Sequence, residues 1–132
     1  MDRLFLDANV LFSAAYQPNP GLLRLWKLRT AVLCSSRYAV AEANLNLDEE
    51  GQRKRLAALV EKLQLFEAPE RELPRGISLP EKDAPILLAA IAAQATHLLT
   101  GDVRDFGAYF GKKIERGMIV LPGEYLGHAR PG

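Results

Sequence analysis

The sequence predicts an α/β fold, a three-layer α/β/α sandwich of the Rossmann-like kind around a central parallel sheet. Short apolar runs alternate with longer segments of helical periodicity, as expected when helices connect parallel strands. The chain has 132 residues, 48% hydrophobic and 25% charged, which fits a single domain spanning residues 1–132. Acidic residues directly follow two of the apolar runs, at the edge where such sheets bind ligands.

The first half of the chain alternates strand and helix patterns. Short apolar runs predict strands, and apolar residues three or four positions apart predict helices. The predicted strands are 4–6, 31–34 and 65–66, and the predicted helices are 9–16, 22–28, a third one through Leu45, and 50–63. The segment 18–21, Pro-Asn-Pro-Gly, ends the first helix, and Ser35 or Ser36 caps the third.

The second half begins with a proline-containing loop at 68–80 and continues with a very apolar helix predicted over 83–95. Strands follow at 97–100 and 118–121. Since the helix is apolar nearly all round, it must be covered on more than one side, by another helix of the chain or by a second subunit. Few elements of so short a chain remain for this cover, so we expect a two-fold homodimer.

Composition excludes several classes of protein. The net charge is only +1, so attraction to nucleic acid must be local, and the basic runs 53–55 and 112–113 are typical of solvated helix faces. With a single cysteine, Cys34, the chain cannot form an intrachain disulfide, which fits a protein of a reducing compartment. Cys34 lies in an apolar run, which indicates a small buried side chain. No apolar run is long enough to span a membrane, so we expect a cytoplasmic protein without membrane contact.

Four acidic residues are candidates for a metal site with a catalytic role. Asp7 and Asp102 each follow a predicted strand, Asp83 begins the apolar helix, and Glu42 lies in an apolar part of the third helix. Clustered carboxylates repel one another unless a cation neutralises them. Because no His or Cys accompanies them at ligand spacing, these oxygen ligands favour Mg²⁺ or Mn²⁺ over Zn²⁺.

Each of these acids also has a purely structural explanation. Asp7 and Asp83 stand where an aspartate caps a helix, and Asp102 follows Gly101 as in a turn. Glu42 can be neutralised by a buried arginine. The residues alone leave both interpretations open.

Several segments, in order, resemble PIN-domain nucleases over almost the whole chain. They are Leu6–Leu11, Ser35–Glu42, Asp83–Ala90 together with Leu98–Asp102, and Val120–Leu126. The chain departs from the family pattern at two places. Ala8 replaces a usual Thr or Ser near the metal, and Arg104 stands where a second acid is common, with Asp105 following it.

This resemblance implies that the four acids hold one or two Mg²⁺ or Mn²⁺ ions, which activate water to cut RNA. The resemblance also implies supporting residues that would orient the metal ligands or water, namely Asn9, Ser13, Thr100 and the outer acid Asp105. Small PIN proteins are mostly similar to VapC-type toxins, which are homodimers silenced by a cognate antitoxin protein.

Three alternatives remain beside the toxin. One is a PIN nuclease of RNA processing or decay, and another is a non-catalytic PIN-like scaffold, which retention of all four acids disfavours. The third is a small acyl- or phosphate-binding sandwich in which the aspartates serve as caps, and metal would not change its stability.

Overall fold

The computed structural model confirms the predicted central sheet and describes residues 1–128. Residues 129–132, the end of the predicted domain, lie outside the described residues. Six strands pair in the order β3-β2-β1-β4-β6-β5. They are β1 (Asp2–Leu6), β2 (Ala31–Ser36), β3 (Gln64–Phe66), β4 (His97–Leu99), β5 (Lys113–Ile114) and β6 (Gly117–Val120). All pairs are parallel except β5 with β6.

Helices connect the strands and pack on the sheet. They are α1 (Ala8–Tyr16), α2 (Pro20–Leu23), α3 (Arg37–Leu45), α4 (Glu50–Val60), α5 (Ala84–Ala92) and α6 (Pro122–His128). Helix α3 begins where the Ser36 hydroxyl accepts a hydrogen bond from Ala39 N at 3.0 Å. The neighbouring Ser35 hydroxyl instead donates to Leu6 O at 2.7 Å, so Ser36 is the cap.

The order of the strands places the ends of β1 and β4 side by side. From β1 the chain proceeds outward through β2 to β3, and then returns to form β4 on the other side of β1. This reversal opens a crevice at the carboxyl edge of a parallel sheet, where α/β proteins bind ligands. In register, Leu6 pairs with Leu99, so Asp7 and Thr100 leave the sheet next to each other.

Three of the predicted helices differ from the observed ones, and one observed strand was not predicted. The predicted helix 22–28 is the short helix α2 followed by a 3₁₀ turn at Arg24–Lys27. The antiparallel strand β5 was not predicted, because two residues are too few to show a pattern. Helix α4 ends at Val60 instead of residue 63.

Helix α5 ends at Ala92 instead of residue 95, because Gln94 adopts a left-handed conformation with φ 55°. Gln94 N donates to Ile91 O at 2.9 Å and Ala95 N donates to Ala90 O at 3.0 Å. This pair of bonds is a Schellman motif, which commonly uses glycine at the position of Gln94.

The apolar character of α5 is explained within one chain, which removes the argument for a dimer. Ile86, Leu87, Leu88 and Ala90 of α5 are all at most 7% exposed in the isolated chain. The helix packs against β2, β3 and α3, which cover more than one of its sides. The predicted homodimer therefore stays a prediction that this helix does not support.

Two further properties bear on the predictions from composition. Cys34 is buried and not disulfide-bonded, and burial raises the pKa of its thiol, as expected for a small core residue. Among residues 1–128, no helix combines the length and apolar composition needed to cross a membrane.

Candidate active site

A cleft of about 700 Å³ opens at the carboxyl edge of the sheet, and all four candidate acids line it. Asp7 lies at the end of β1, Asp102 lies just after β4, Glu42 lies on α3, and Asp83 directly precedes α5. Of the predicted supporting residues, Asn9 and Ser13 also line the cleft. The structure thus brings together side chains from four separate parts of the chain.

Asp7 is held by a hydrogen-bond network beneath the cleft. Its Oδ2 atom accepts from the Thr100 hydroxyl at 2.8 Å and from Asn9 Nδ2 at 3.2 Å. Its Oδ1 atom accepts from Ala8 N at 2.6 Å, so the helix-cap explanation also applies to Asp7. Burial raises the pKa of Asp7 above its usual value, although the Thr100 and Ala8 hydrogen bonds oppose the shift.

Thr100 and Asn9 connect the ends of β1 and β4. The fully buried Thr100 hydroxyl also accepts from Asp102 N at 3.0 Å and from Asn9 Nδ2 at 3.2 Å. Asn9 Oδ1 accepts from Gly101 N at 2.8 Å. These hydrogen bonds hold the backbone at Gly101 and Asp102. Thr100 and Asn9 can therefore orient Asp102 without contacting a ligand themselves.

Asp83 has a buried carboxylate oxygen without a hydrogen-bond donor. Although Asp83 stands at the N-cap position of α5, its side chain makes no capping hydrogen bond, so the capping explanation fails here. The Oδ2 atom is buried and accepts no hydrogen bond from any described residue. Burial, followed by interaction with Asp105, raises the pKa of Asp83 to about 6. A cation stabilises a buried carboxylate oxygen of this kind, and among the described residues the Lys82 ammonium, 3.4 Å away, forms its only ion pair.

Asp83, Asp102 and Asp105 form the tightest acidic group among the described residues. One oxygen from each lies within 4.8 Å of the others. Asp102 Oδ1 accepts from Asp105 N at 3.0 Å, so the turn explanation for Asp102 holds as well. Asp105, predicted as an outer member, belongs to this group, whereas Asp7 and Glu42 lie on the cleft wall outside it.

Glu42 is half-buried on the cleft wall. Its carboxylate forms no ion pair with any residue of the described chain, so the buried-arginine explanation fails. Tyr38 and Phe12 line the same cleft and were not predicted, because isolated aromatic residues on helices look like ordinary packing residues.

Sequence reasoning also missed Lys82. Its ammonium group lies 3.0 Å from Asp105 Oδ2, 3.4 Å from Asp83 Oδ2 and 4.0 Å from Asp102 Oδ2. These carboxylates raise the pKa of Lys82, and the ammonium lowers the pKa of Asp105. A lysine next to an aspartate in sequence is common on protein surfaces and gives no signal of a site. Only the contact with Asp105, which is 23 positions away in sequence, reveals that Lys82 belongs to the site.

Fold and cleft together define an α/β protein with an acidic site at the crevice of a parallel sheet. The sequence matches the PIN domain family over residues 3–104, and the chain therefore belongs to this family. No curated protein matches the sequence.

Two solved structures share the fold. This chain is similar to a chain in the crystal structure of VapBC2 from Rickettsia felis bound to a DNA fragment from their promoter. The TM-score is 0.65 and the sequence identity is 15%, and the match covers 90% of this chain and 98% of that chain. A chain in the structure of FitAB bound to an IR36 DNA fragment is similar with a TM-score of 0.56 and 18% identity, over 91% and 95%. At these identities the likeness concerns the fold.

Proposed function

We propose that this protein is a divalent-metal-dependent endoribonuclease and the toxin of a toxin–antitoxin pair. The observation that carries the proposal is the convergence of Asp7, Glu42, Asp83 and Asp102 on one cleft of a PIN domain. Carboxylates brought this close raise one another's pKa unless cations neutralise them, and the Lys82 ammonium supplies only one positive charge beside three of the acids.

The residues of the cleft fit Mg²⁺ or Mn²⁺. Its described lining offers carboxylate oxygens and contains neither His nor Cys, a donor set suited to a hard cation. Asp7, Glu42, Asp83 and Asp102 would hold the ion or ions. When bound, the metal would supply an activated water and would stabilise negative charge on the scissile phosphate.

The chain itself supplies orientation. Thr100 and Asn9 both donate hydrogen bonds to Asp7 Oδ2, which orients this carboxylate before a ligand binds. Ser13 is exposed on the cleft wall, where its hydroxyl can contact a phosphate or a water. Tyr38 and Phe12 present aromatic surface to the cleft, which suits the unpaired bases of single-stranded RNA.

Cleavage of single-stranded RNA tests the activity. We expect cutting with Mg²⁺ or Mn²⁺ and none with EDTA. Asp102→Asn should reduce the rate at least about 100-fold, since loss of a charge-stabilising group in an active site costs that much. Asp48→Asn, a matched change at an exposed residue outside the cleft, should leave the rate unchanged. Equal cutting in EDTA, or equal loss in both variants, would refute the mechanism.

The paired proteins named with the two solved structures, VapBC2 and FitAB, support a biological role for this activity. We propose that a cognate antitoxin protein binds this chain and silences it in the cytoplasm, a reducing compartment that suits the free Cys34. A homodimer is expected from the resemblance to VapC-type toxins alone. Expression of the chain in bacteria should arrest growth, and Asp102→Asn should relieve the arrest. Arrest by both forms would argue against a toxic nuclease.

A further inference from the structure

Lys82 places a cation at the point where three carboxylates converge. Its ammonium lies within 4.0 Å of one oxygen from each of Asp83, Asp102 and Asp105. These side chains are also the ones whose oxygens lie within 4.8 Å of one another, close enough to share one ion. The ammonium therefore contacts the same three carboxylates that a shared ion would bind.

A divalent ion and this ammonium cannot be held by the same oxygens together. Mg²⁺ binds carboxylate oxygens at about 2.1 Å, so both cations would be nearly in contact inside a partly buried group. Like charges at that separation repel strongly where solvent screening is weak. Binding of the ion therefore requires the ammonium to move.

The backbone at Lys82 is held by hydrogen bonds, whereas its side chain is largely exposed. Its carbonyl oxygen accepts a hydrogen bond from the Tyr38 hydroxyl at 2.8 Å. The next residue, Asp83, donates its N–H to Pro80 O at 2.9 Å, which fixes the backbone on the other side. The Lys82 side chain is nevertheless 64% exposed, so it can turn into solvent without breaking core contacts.

Lys82 is also the one basic side chain in the described lining of the cleft. An acidic cleft repels RNA unless cations compensate its charge. An ammonium released from the carboxylates stays tethered beside Asp83, where it can contact a substrate phosphate.

We propose that Lys82 is a tethered counterion that competes with the divalent metal and, when displaced by it, turns to the RNA phosphate. Lys82 would thereby couple metal binding to substrate binding. The inference rests on the proposed function, because it needs a metal site in this cleft. It adds a positioning residue that regulates the occupancy of that site.

Titration with Mn²⁺, followed by the electron paramagnetic resonance signal of the free ion, measures the competition without any RNA. Lys82→Gln should bind Mn²⁺ about three- to tenfold more tightly, as expected when a competing ammonium with several weak ion pairs is removed. Lys82→Arg should stay close to the wild type. Arg104→Gln is the matched control, because Arg104 is exposed near Asp102 but forms no ion pair with any residue in 1–128. It should change the affinity less than about twofold.

A second measurement tests the displaced state. With Ca²⁺ in place of Mg²⁺ to suppress cutting, Lys82→Gln should bind single-stranded RNA more weakly than the wild type, despite its tighter hold on metal. Opposite effects on metal and RNA are not expected from a merely structural role.

The outcomes separate the two proposals. Unchanged or weaker Mn²⁺ binding by Lys82→Gln, or an equal gain in Arg104→Gln, would overturn the competition while leaving the nuclease intact. Failure of the wild type to bind Mn²⁺ would overturn the metal site and the competition with it. If Mn²⁺ binding follows the prediction but no RNA is cut, the competition stands and the proposed nuclease activity fails.

Discussion

The Thr100 hydroxyl is the part of the site whose removal has the most readily calculated effect. It donates to Asp7 Oδ2 at 2.8 Å and accepts from Asp102 N at 3.0 Å and from Asn9 Nδ2 at 3.2 Å. Thr100→Val keeps the shape of this fully buried side chain but removes all of these hydrogen bonds. Hydrogen bonds of this kind contribute about 1 kcal/mol each, and about 1.5–3 kcal/mol when one partner is charged.

The net cost of Thr100→Val should be about 2–4 kcal/mol after the gain from burying a methyl group. For a chain of this length, that corresponds to a fall of roughly 6–15 °C in melting temperature. Thermal unfolding followed by circular dichroism measures it at neutral pH. Thr100→Ser is the matched control, since it retains the hydroxyl and should lose only about 1 kcal/mol for the missing methyl group.

The pH dependence provides an independent check on the same reasoning. Burial raises the pKa of Asp7, so its carboxylate becomes protonated at a higher pH than an ordinary aspartate does. Because the charge-assisted bond from Thr100 requires the ionised form, the difference between wild type and Thr100→Val should shrink as the pH falls. A Val variant that melts with the wild type at neutral pH would refute the assigned role of the hydroxyl.

Two further predictions concern α5. The pKa of Asp83 is raised from its ordinary value of 3.8 to about 6 in the folded state. Ionisation of this side chain therefore lowers the stability of the folded state as the pH rises above 3.8. In EDTA, Asp83→Asn should therefore gain stability relative to the wild type, by at most about 3 kcal/mol, as the pH rises from 4 to 6. Urea unfolding at several pH values measures this gain. A difference in stability that stays constant with pH would contradict the raised pKa. Gln94→Gly should stabilise the protein by up to about 1 kcal/mol, because glycine adopts the left-handed conformation at φ 55° without strain. Gln94→Ala should show no such gain in thermal unfolding, and a gain with Ala as well would implicate the lost side chain.

The sequence by itself determined the class of the fold and the positions of the main candidate residues. A short apolar run such as Leu4–Leu6 favours a buried strand, and alternation of such runs with helices favours a parallel sheet. Residues that directly follow such strands must reach the same edge of the sheet, which is why Asp7 and Asp102 could be placed together.

Only the tertiary structure decided how these residues interact, because their contacts join segments that are far apart in sequence. The hydrogen bond between Thr100 and Asp7 spans 93 positions, and the pair between Lys82 and Asp105 spans 23. Local periodicity carries no information about either contact. The same limit explains the failed argument for a dimer, since an apolar helix looks identical whether its cover comes from its own chain or from another. Burial in the folded chain distinguished the two, because it depends on every element packed around α5.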